Sequence, residues 1–203
     1  MIKELEEQLL KCQKCSLSKT RTHVVPGEGS LKAEIMFIGE GPGQKEDELG
    51  RPFVGAAGKL LDKMIGSIGL KREDVFIANV VKCRPPQNRD PLPEEVEACR
   101  NWLDEQVKLI DPKLMVLLGR HSMDRFLPGL RISQDHGKPK RYRGRVYYPV
   151  YHPAAALYRR SLTEDLEKDF KKIPKILKLI DSENADRSKN KGESAIEKHE
   201  SGM

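Results

Sequence analysis

Four short apolar runs, separated by stretches of helical periodicity, constrain this chain more than any other feature. They are AEIMFIG (33–39), VFIANVVKC (75–83), KLMVLLG (113–119) and RVYYPVYHP (145–153). Between them stand GKLLDKMIGSIG (58–69) and PEEVEACRNWLDEQVKLI (93–110), whose apolar residues recur at three- and four-residue spacing; RHSMDRFL follows the third run and a last helical stretch lies near 163–180. Apolar runs of this length belong to strands buried on both faces, and strands separated by helices pair in parallel. The expectation is therefore an α/β protein: a three-layer α/β/α domain over residues 1–181 with a central, mainly parallel four-stranded sheet. A short amphipathic helix over 2–11 precedes it. Residues 182–203 hold almost no apolar side chains, too few to offset the entropy of ordering, and are read as a disordered polar tail. No internal repeat is visible.

Charge narrows the partners. Among 203 residues, 37 Lys and Arg face 31 Asp and Glu, a formal +6 that favours a polyanionic partner. The opening MIKELEEQLLKCQKC mixes charges into helical spacing and is no signal peptide, and no apolar run approaches the ~20 residues of a membrane helix. A soluble, cytoplasmic, monomeric protein with no membrane partner is expected. In that reducing compartment stable disulfides are unusual, so the four cysteines read as ligands. Cys12 and Cys15 have the chelating C-x-x-C spacing, with Cys83 and Cys99 further on. Four thiolates suit structural zinc or an iron–sulfur cluster, and the absence of a second C-x-x-C tilts the reading towards a cluster. Either would tie the N-terminal helix to the proline-rich segment CRPPQNRDPLPEE.

Ligands of open parallel sheets bind beyond the carboxyl ends of the strands, and GEGPGQKED (39–47) follows the first run directly. Its spacing is not that of a P-loop, and the dinucleotide fingerprint needs a glycine where Gln44 stands. GRPFVGAAG (50–58) sets Phe53 among small residues, where a ring face could lie open for stacking. Asn79 falls inside an apolar strand, where an unpartnered amide costs roughly 1–3 kcal/mol. His152 ends the fourth run in YHPAAAL. Alone, Phe53 reads as core, Asn79 as an amide satisfied by backbone and His152 as a turn cap. Together with Glu40 they converge at strand ends, which is what a site requires.

GEGPGQKED, GRPFVGAAGKLLD, NVVKCRPPQNRDP, LLGRHS, HPAAAL and the four cysteines, spread over about residues 1–180, closely resemble the family 4 uracil-DNA glycosylases. These are iron–sulfur members of the uracil-DNA glycosylase superfamily, found largely in thermophiles; the 33% charged content agrees with such a source. The resemblance implies a DNA-repair hydrolase that flips uracil out of single- or double-stranded DNA and hydrolyses its N-glycosidic bond, leaving an abasic site. It implies a structural four-iron, four-sulfur (4Fe-4S) cluster on Cys12, Cys15, Cys83 and Cys99. Glu40 would position or activate water, in a first motif that carries Gly41 where the classical enzymes carry aspartate. Phe53 would stack on uracil, Asn79 read its edge, His152 approach O2, and Glu46 crowd the C5 edge against thymine. Backbone N–H groups of the turn, including Gly41 and Gly43, would help His152 stabilise the departing anion.

Chemistry adds one expectation. An amide that turned over freely would read cytosine as well as uracil, so Asn79 should be pinned by a further hydrogen bond. Arg84, Arg89, Arg159 and Arg160 are candidates for phosphate contacts, Leu157 for an apolar wedge, and a sliding clamp for a further partner. The competing readings are a metal-stapled nucleic-acid-binding module without catalysis and a superfamily glycosylase with broader preference for deaminated bases.

Overall fold

The computed structural model describes residues 2–200, with side chains through residue 186. Its strands are β1 (Glu28–Gly29), β2 (Ile35–Gly39), β3 (Phe76–Asn79), β4 (Leu114–Leu118), β5 (Lys140–Tyr142) and β6 (Arg145–Val150). They form one mixed sheet in the order β1-β3-β2-β4-β6-β5. The four apolar runs supply the centre, where β3, β2, β4 and β6 pair in parallel; β1 and β5 add antiparallel edges to β3 and β6.

The sheet thus has six strands and corrects the expected four. The added strands span two and three residues, EG and KRY, with no apolar run to announce them. Their pairing is made by the backbone. Arg143 and Gly144 join β5 to β6, both at positive φ (48° and 80°), as a tight two-residue hairpin requires.

The helices are α1 (Ile2–Leu10), α2 (Gln44–Leu49), α3 (Ala56–Ser67), α4 (Pro93–Ile110), α5 (Arg120–Phe126), α6 (Ile132–Asp135), α7 (Pro153–Ala156) and α8 (Arg160–Glu200). Alternate strand residues point to opposite faces, and two apolar clusters result. Met36, Ile38, Met115 and Leu117 pack with Leu9, Leu103 and Met123, from α1, α4 and α5. Ile35, Phe37, Leu114 and Val116 pack with Leu61, Ile65, Phe170 and Ile173, from α3 and α8. Because both faces are covered, the functional surface is left to the strand ends.

The last helix starts before the expected 163 and its backbone continues through 182–200, where the sequence reading places a disordered tail. Residues 201–203 of that tail lie outside the described residues. Among the described residues no helix is long and apolar enough to cross a membrane.

Phe37 is fully buried and stacks on Phe170 with 5.6 Å between ring centroids. Phe37→Ala should cost about 3–5 kcal/mol of stability, read as a lower urea midpoint at unchanged slope.

Candidate active site

Beyond the carboxyl ends of β2, β3 and β6 lies a cavity of about 310 Å³. Glu40, Gly41, Gly43, Glu46, Phe53, Asn79 and His152 all line it, joined by Pro85, Asn88 and Arg89 of the loop after β3. Parallel pairing persists past the strands: Val80 N–H donates to Gly39 O (2.9 Å) and Val81 N–H to Glu40 O (3.0 Å). Glu40 and Asn79 are thereby fixed on adjacent strand ends, with Gly39 opposite Asn79 in register. A Cβ at Gly39 would stand 2.4 Å from Asn79 Oδ1 and 2.6 Å from Phe53 Cζ, so only glycine lets amide and ring pack over that backbone.

Phe53 sits at φ +50°, a left-handed conformation rare outside glycine. Arg72 braces it by donating to Phe53 O (3.2 Å) and to Pro52 O. The Phe53 ring lies 5.7 Å from the His152 ring, 30° from parallel. His152 in turn packs against Gly119, at φ +86°, where a Cβ would meet His152 Cβ at 2.8 Å.

His152 Nδ1 accepts from Ala154 N–H at 3.1 Å, which assigns the proton of the neutral ring to Nε2. Burial pushes its pKa down to about 4; positive charge at His121 acts in the same direction and Glu46 opposes it. The imidazole is therefore a neutral N–H donor throughout the physiological range.

Asn79 is 2% exposed, and its Oδ1 has no hydrogen-bond partner. The expected pinning bond is not there. Asn79 Oδ1 lies over the Gly39 backbone beside the Phe53 ring, a buried acceptor left without a donor. Glu46 is the converse case. Its Oε2 accepts from Gly43 N–H (3.1 Å) and its Oε1 from Val54 and Gly55 N–H (2.9 Å each), so one carboxylate staples the glycine turn to the Phe53 loop. Glu40 has its pKa raised, chiefly by burial, with Asp90 adding to the effect and His121 and Arg120 opposing it.

The uracil DNA glycosylase superfamily model matches residues 26–178. The chain is 50% identical over 184 residues to a type-4 uracil-DNA glycosylase of Sulfurisphaera tokodaii, covering 85% of this chain and 83% of that protein. It is 50% identical over 181 residues to the type-4 enzyme of Archaeoglobus fulgidus (84% and 90% covered). It is 32% identical over 148 residues to a type-5 uracil-DNA glycosylase of Pyrobaculum aerophilum (64% and 65% covered). The chain belongs to the type-4 uracil-DNA glycosylases.

In this type-4 chain the four cysteines are free thiols gathered from the segment after α1, the loop after β3, and α4. Each of three sulfurs receives an N–H: Trp102 Nε1 to Cys12 (3.3 Å), Arg21 Nη1 to Cys83 (3.2 Å) and Lys82 N to Cys99 (3.2 Å). Lys82 is wholly buried, its ammonium bonded only to the neutral Gln106 Oε1 at 2.7 Å. Burial pushes its pKa down to about 8, and negative charge on Cys99 and Cys83 would raise it. Burial pushes the Cys83 thiol up and the Cys99 thiol up to about 11, opposed by Arg21 at Cys83 and by Lys82 at Cys99. Among the described residues, the groups of three or more ligand atoms lying within 4.8 Å of one another do not include the cysteines.

The predicted DNA-contact residues divide. Arg89 forms a two-pronged pair with the buried Glu95 (2.7 and 2.8 Å), which also accepts from Leu92 N–H and Ser16 Oγ and is held down to about 2, chiefly by Arg89. Arg84 donates to Asn88 Oδ1 at 2.7 Å. Leu157, Arg159 and Arg160 are exposed beyond α7, with Tyr158 between them at 88% exposure. Sequence reasoning gave no role to Tyr158, Asn88, Asp90, Arg120 or His121. The last two lay within LLGRHS, whose pattern was noted without a function.

With 6.5 as the unfolded pKa and about 4 as the folded one, protonation of His152 favours unfolding. Its contribution to stability is complete above pH 6.5 and declines as pH falls towards 4, by at most about 3 kcal/mol. Urea titrations across that window should show this decline in the native protein and its absence in His152→Asn.

Proposed function

We propose that the chain removes uracil from DNA as a repair hydrolase, extruding the nucleotide into this cavity, hydrolysing the N-glycosidic bond and leaving an abasic site. Its family membership and the relatives named above support the activity; the observation that carries the chemistry is the orphaned Oδ1 of Asn79. Uracil presents an N3–H donor beside an O4 acceptor. Oδ1 accepts from N3–H while the amide nitrogen donates to O4, and the buried oxygen gains the partner it lacks. Cytosine offers an acceptor at N3 and a donor at N4, leaving both halves of the amide opposed. Phe53 supplies stacking, worth roughly 1–3 kcal/mol per base and blind to base identity, which helps offset the few kcal/mol of flipping. Glu46, held rigid by three backbone donors, forms the wall that a C5 methyl would strike.

Bond cleavage leaves negative charge on uracil and positive character on the sugar. A neutral His152 with its proton on Nε2 is a donor for O2, needing no change of protonation state. Gly43 N–H is engaged with Glu46, so the turn's own contribution falls to Gly41. Glu40, ionised, orients water or stabilises the sugar cation. Arg159, Arg160 and Leu157 meet the DNA beyond α7, and the exposed Tyr158 joins them; Arg84 and Arg89 set the loop after β3 by bonding to Asn88 and Glu95.

Cys12, Cys15, Cys83 and Cys99 would hold a 4Fe-4S cluster. A single zinc ion, with bonds of about 2.3 Å, needs sulfurs about 3.8 Å apart, tighter than the grouping of these thiols. The cluster would act as a staple between the α1 region and the loop that lines the cavity.

Incubation with an end-labelled strand containing one uracil, followed by alkali, should break the strand at uracil and leave thymine and cytosine controls whole. His152→Ala should lower the rate ~10²–10³-fold with DNA binding retained. Equal binding of uracil-free DNA with no abasic product would favour a binding module instead. Asn79→Asp should relax discrimination against cytosine, scored by cleavage at a single C–G pair. Cys99→Ser should abolish the visible absorption expected near ~400 nm for a 4Fe-4S protein and lower stability before chemistry.

A further inference from the structure

The Arg120-His121 pair opening α5 has no part in the reading above, yet it stands at the cavity's edge. His121 Nε2 lies 3.5 Å from Glu40 Oε2 and 3.2 Å from Asp90 Oδ2. Arg120 Nη2 lies 3.0 Å from the same Asp90 oxygen and 3.0 Å from His121 Nε2. Three segments meet here: the end of β2, the loop after β3 and the start of α5. We propose that His121 is a positioning residue for Glu40, bridging its carboxylate to Asp90 so that its orientation and the closure of the loop over the cavity are set together. This rests on Glu40 serving the reaction.

One ring nitrogen cannot meet both carboxylates and the guanidinium in a single protonation state. Protonated, His121 presents Nε2–H to Glu40 and Asp90, and Arg120 is left to Asp90 alone. With Nε2 bare, the ring accepts from Arg120 and turns a lone pair towards Glu40. His121 Nε2 is therefore the one atom on which Glu40, Asp90 and Arg120 converge. The charged groups facing His121 are Glu40 from the β2 end, Asp90 from the loop and Arg120 from its own helix, with His152 near enough to feel its charge. Arg89 of the same loop is turned to Glu95. His152, neutral down to about pH 4, titrates well below the physiological range. Asp90 and Arg120 are mostly exposed, and exposed ion pairs add little to global stability, so loss of the bridge should act locally.

The test is single-turnover cleavage of a uracil-containing strand across pH by the native protein, His121→Ala, His121→Gln, Glu40→Gln and Glu40→Gln/His121→Ala, with DNA affinity and melting temperature measured alongside. His121→Ala should slow cleavage about ten- to a hundredfold, the effect of a misplaced reacting group, with affinity and melting little changed. In the Glu40→Gln background the same change should do almost nothing further. His121→Gln, whose amide can still donate to Glu40, should recover most of the rate, while the acid limb from Glu40 persists. Wild-type cleavage by His121→Ala overturns the proposal, as does an equal loss in both backgrounds. Wild-type cleavage by Glu40→Gln instead overturns the reading of Glu40 itself.

Discussion

The site depends on one local arrangement, the parallel pairing of two strand ends with no side chain at one of them. Because Val80 and Val81 keep donating to Gly39 and Glu40 after the regular strands stop, the backbone carrying Glu40 and that carrying Asn79 cannot move independently. Gly39 leaves the space into which the Asn79 amide and the Phe53 ring pack. Any side chain there would displace the Phe53 ring and the Asn79 amide. The apolar layers on either face hold the strands in register; the missing Cβ turns that register into a cavity.

The polar groups around the cavity fall into two kinds. Glu46 spends both carboxylate oxygens on three backbone N–H groups, and Arg72 braces the Phe53 loop from behind. These are satisfied and rigid. Asn79 Oδ1 is buried and unsatisfied, and the Nε2–H of His152 remains after Nδ1 has accepted from Ala154. A free acceptor and a free donor held by rigid neighbours favour a ligand carrying the opposite pair, because binding removes a desolvation cost already present in the empty site.

Much of this was legible from the residues alone. The four apolar runs located the four central strands, and the motifs at their ends named the residues that line the cavity. The edge strands were not legible, because two and three residues paired through backbone atoms leave no pattern of hydrophobicity. Nor was the state of Asn79: the sequence argument required a hydrogen bond, whereas its Oδ1 has no partner, and the approach of residues 79, 39 and 53 has no local signature. Glu46 was assigned a role towards the base before its three backbone bonds could be seen. His121 was missed for a related reason. Its partners, Glu40 and Asp90, are brought to it by the order of strands in the sheet, which spacing along the chain does not encode.

The cysteine region lies apart from the cavity but reaches it through the loop after β3. Cys83 begins that loop and Cys99 lies beyond it on α4. Within the segment they bracket, Glu95 gathers Arg89, Leu92 N–H and Ser16, the last from the segment that follows Cys15. A loop rich in proline and polar residues has little apolar surface with which to hold itself, so its position must come from such ties. The buried Lys82 fits the same scheme, since a cation with only a neutral amide partner is costly until anionic thiolates stand beside it. The ties of Glu95 and the segments that carry the cysteines thus bear on Asn88, Arg89 and Asp90 together. Of these, Asn88 and Arg89 line the cavity and Asp90 holds His121, so a structural perturbation there would reach the chemistry by way of the loop.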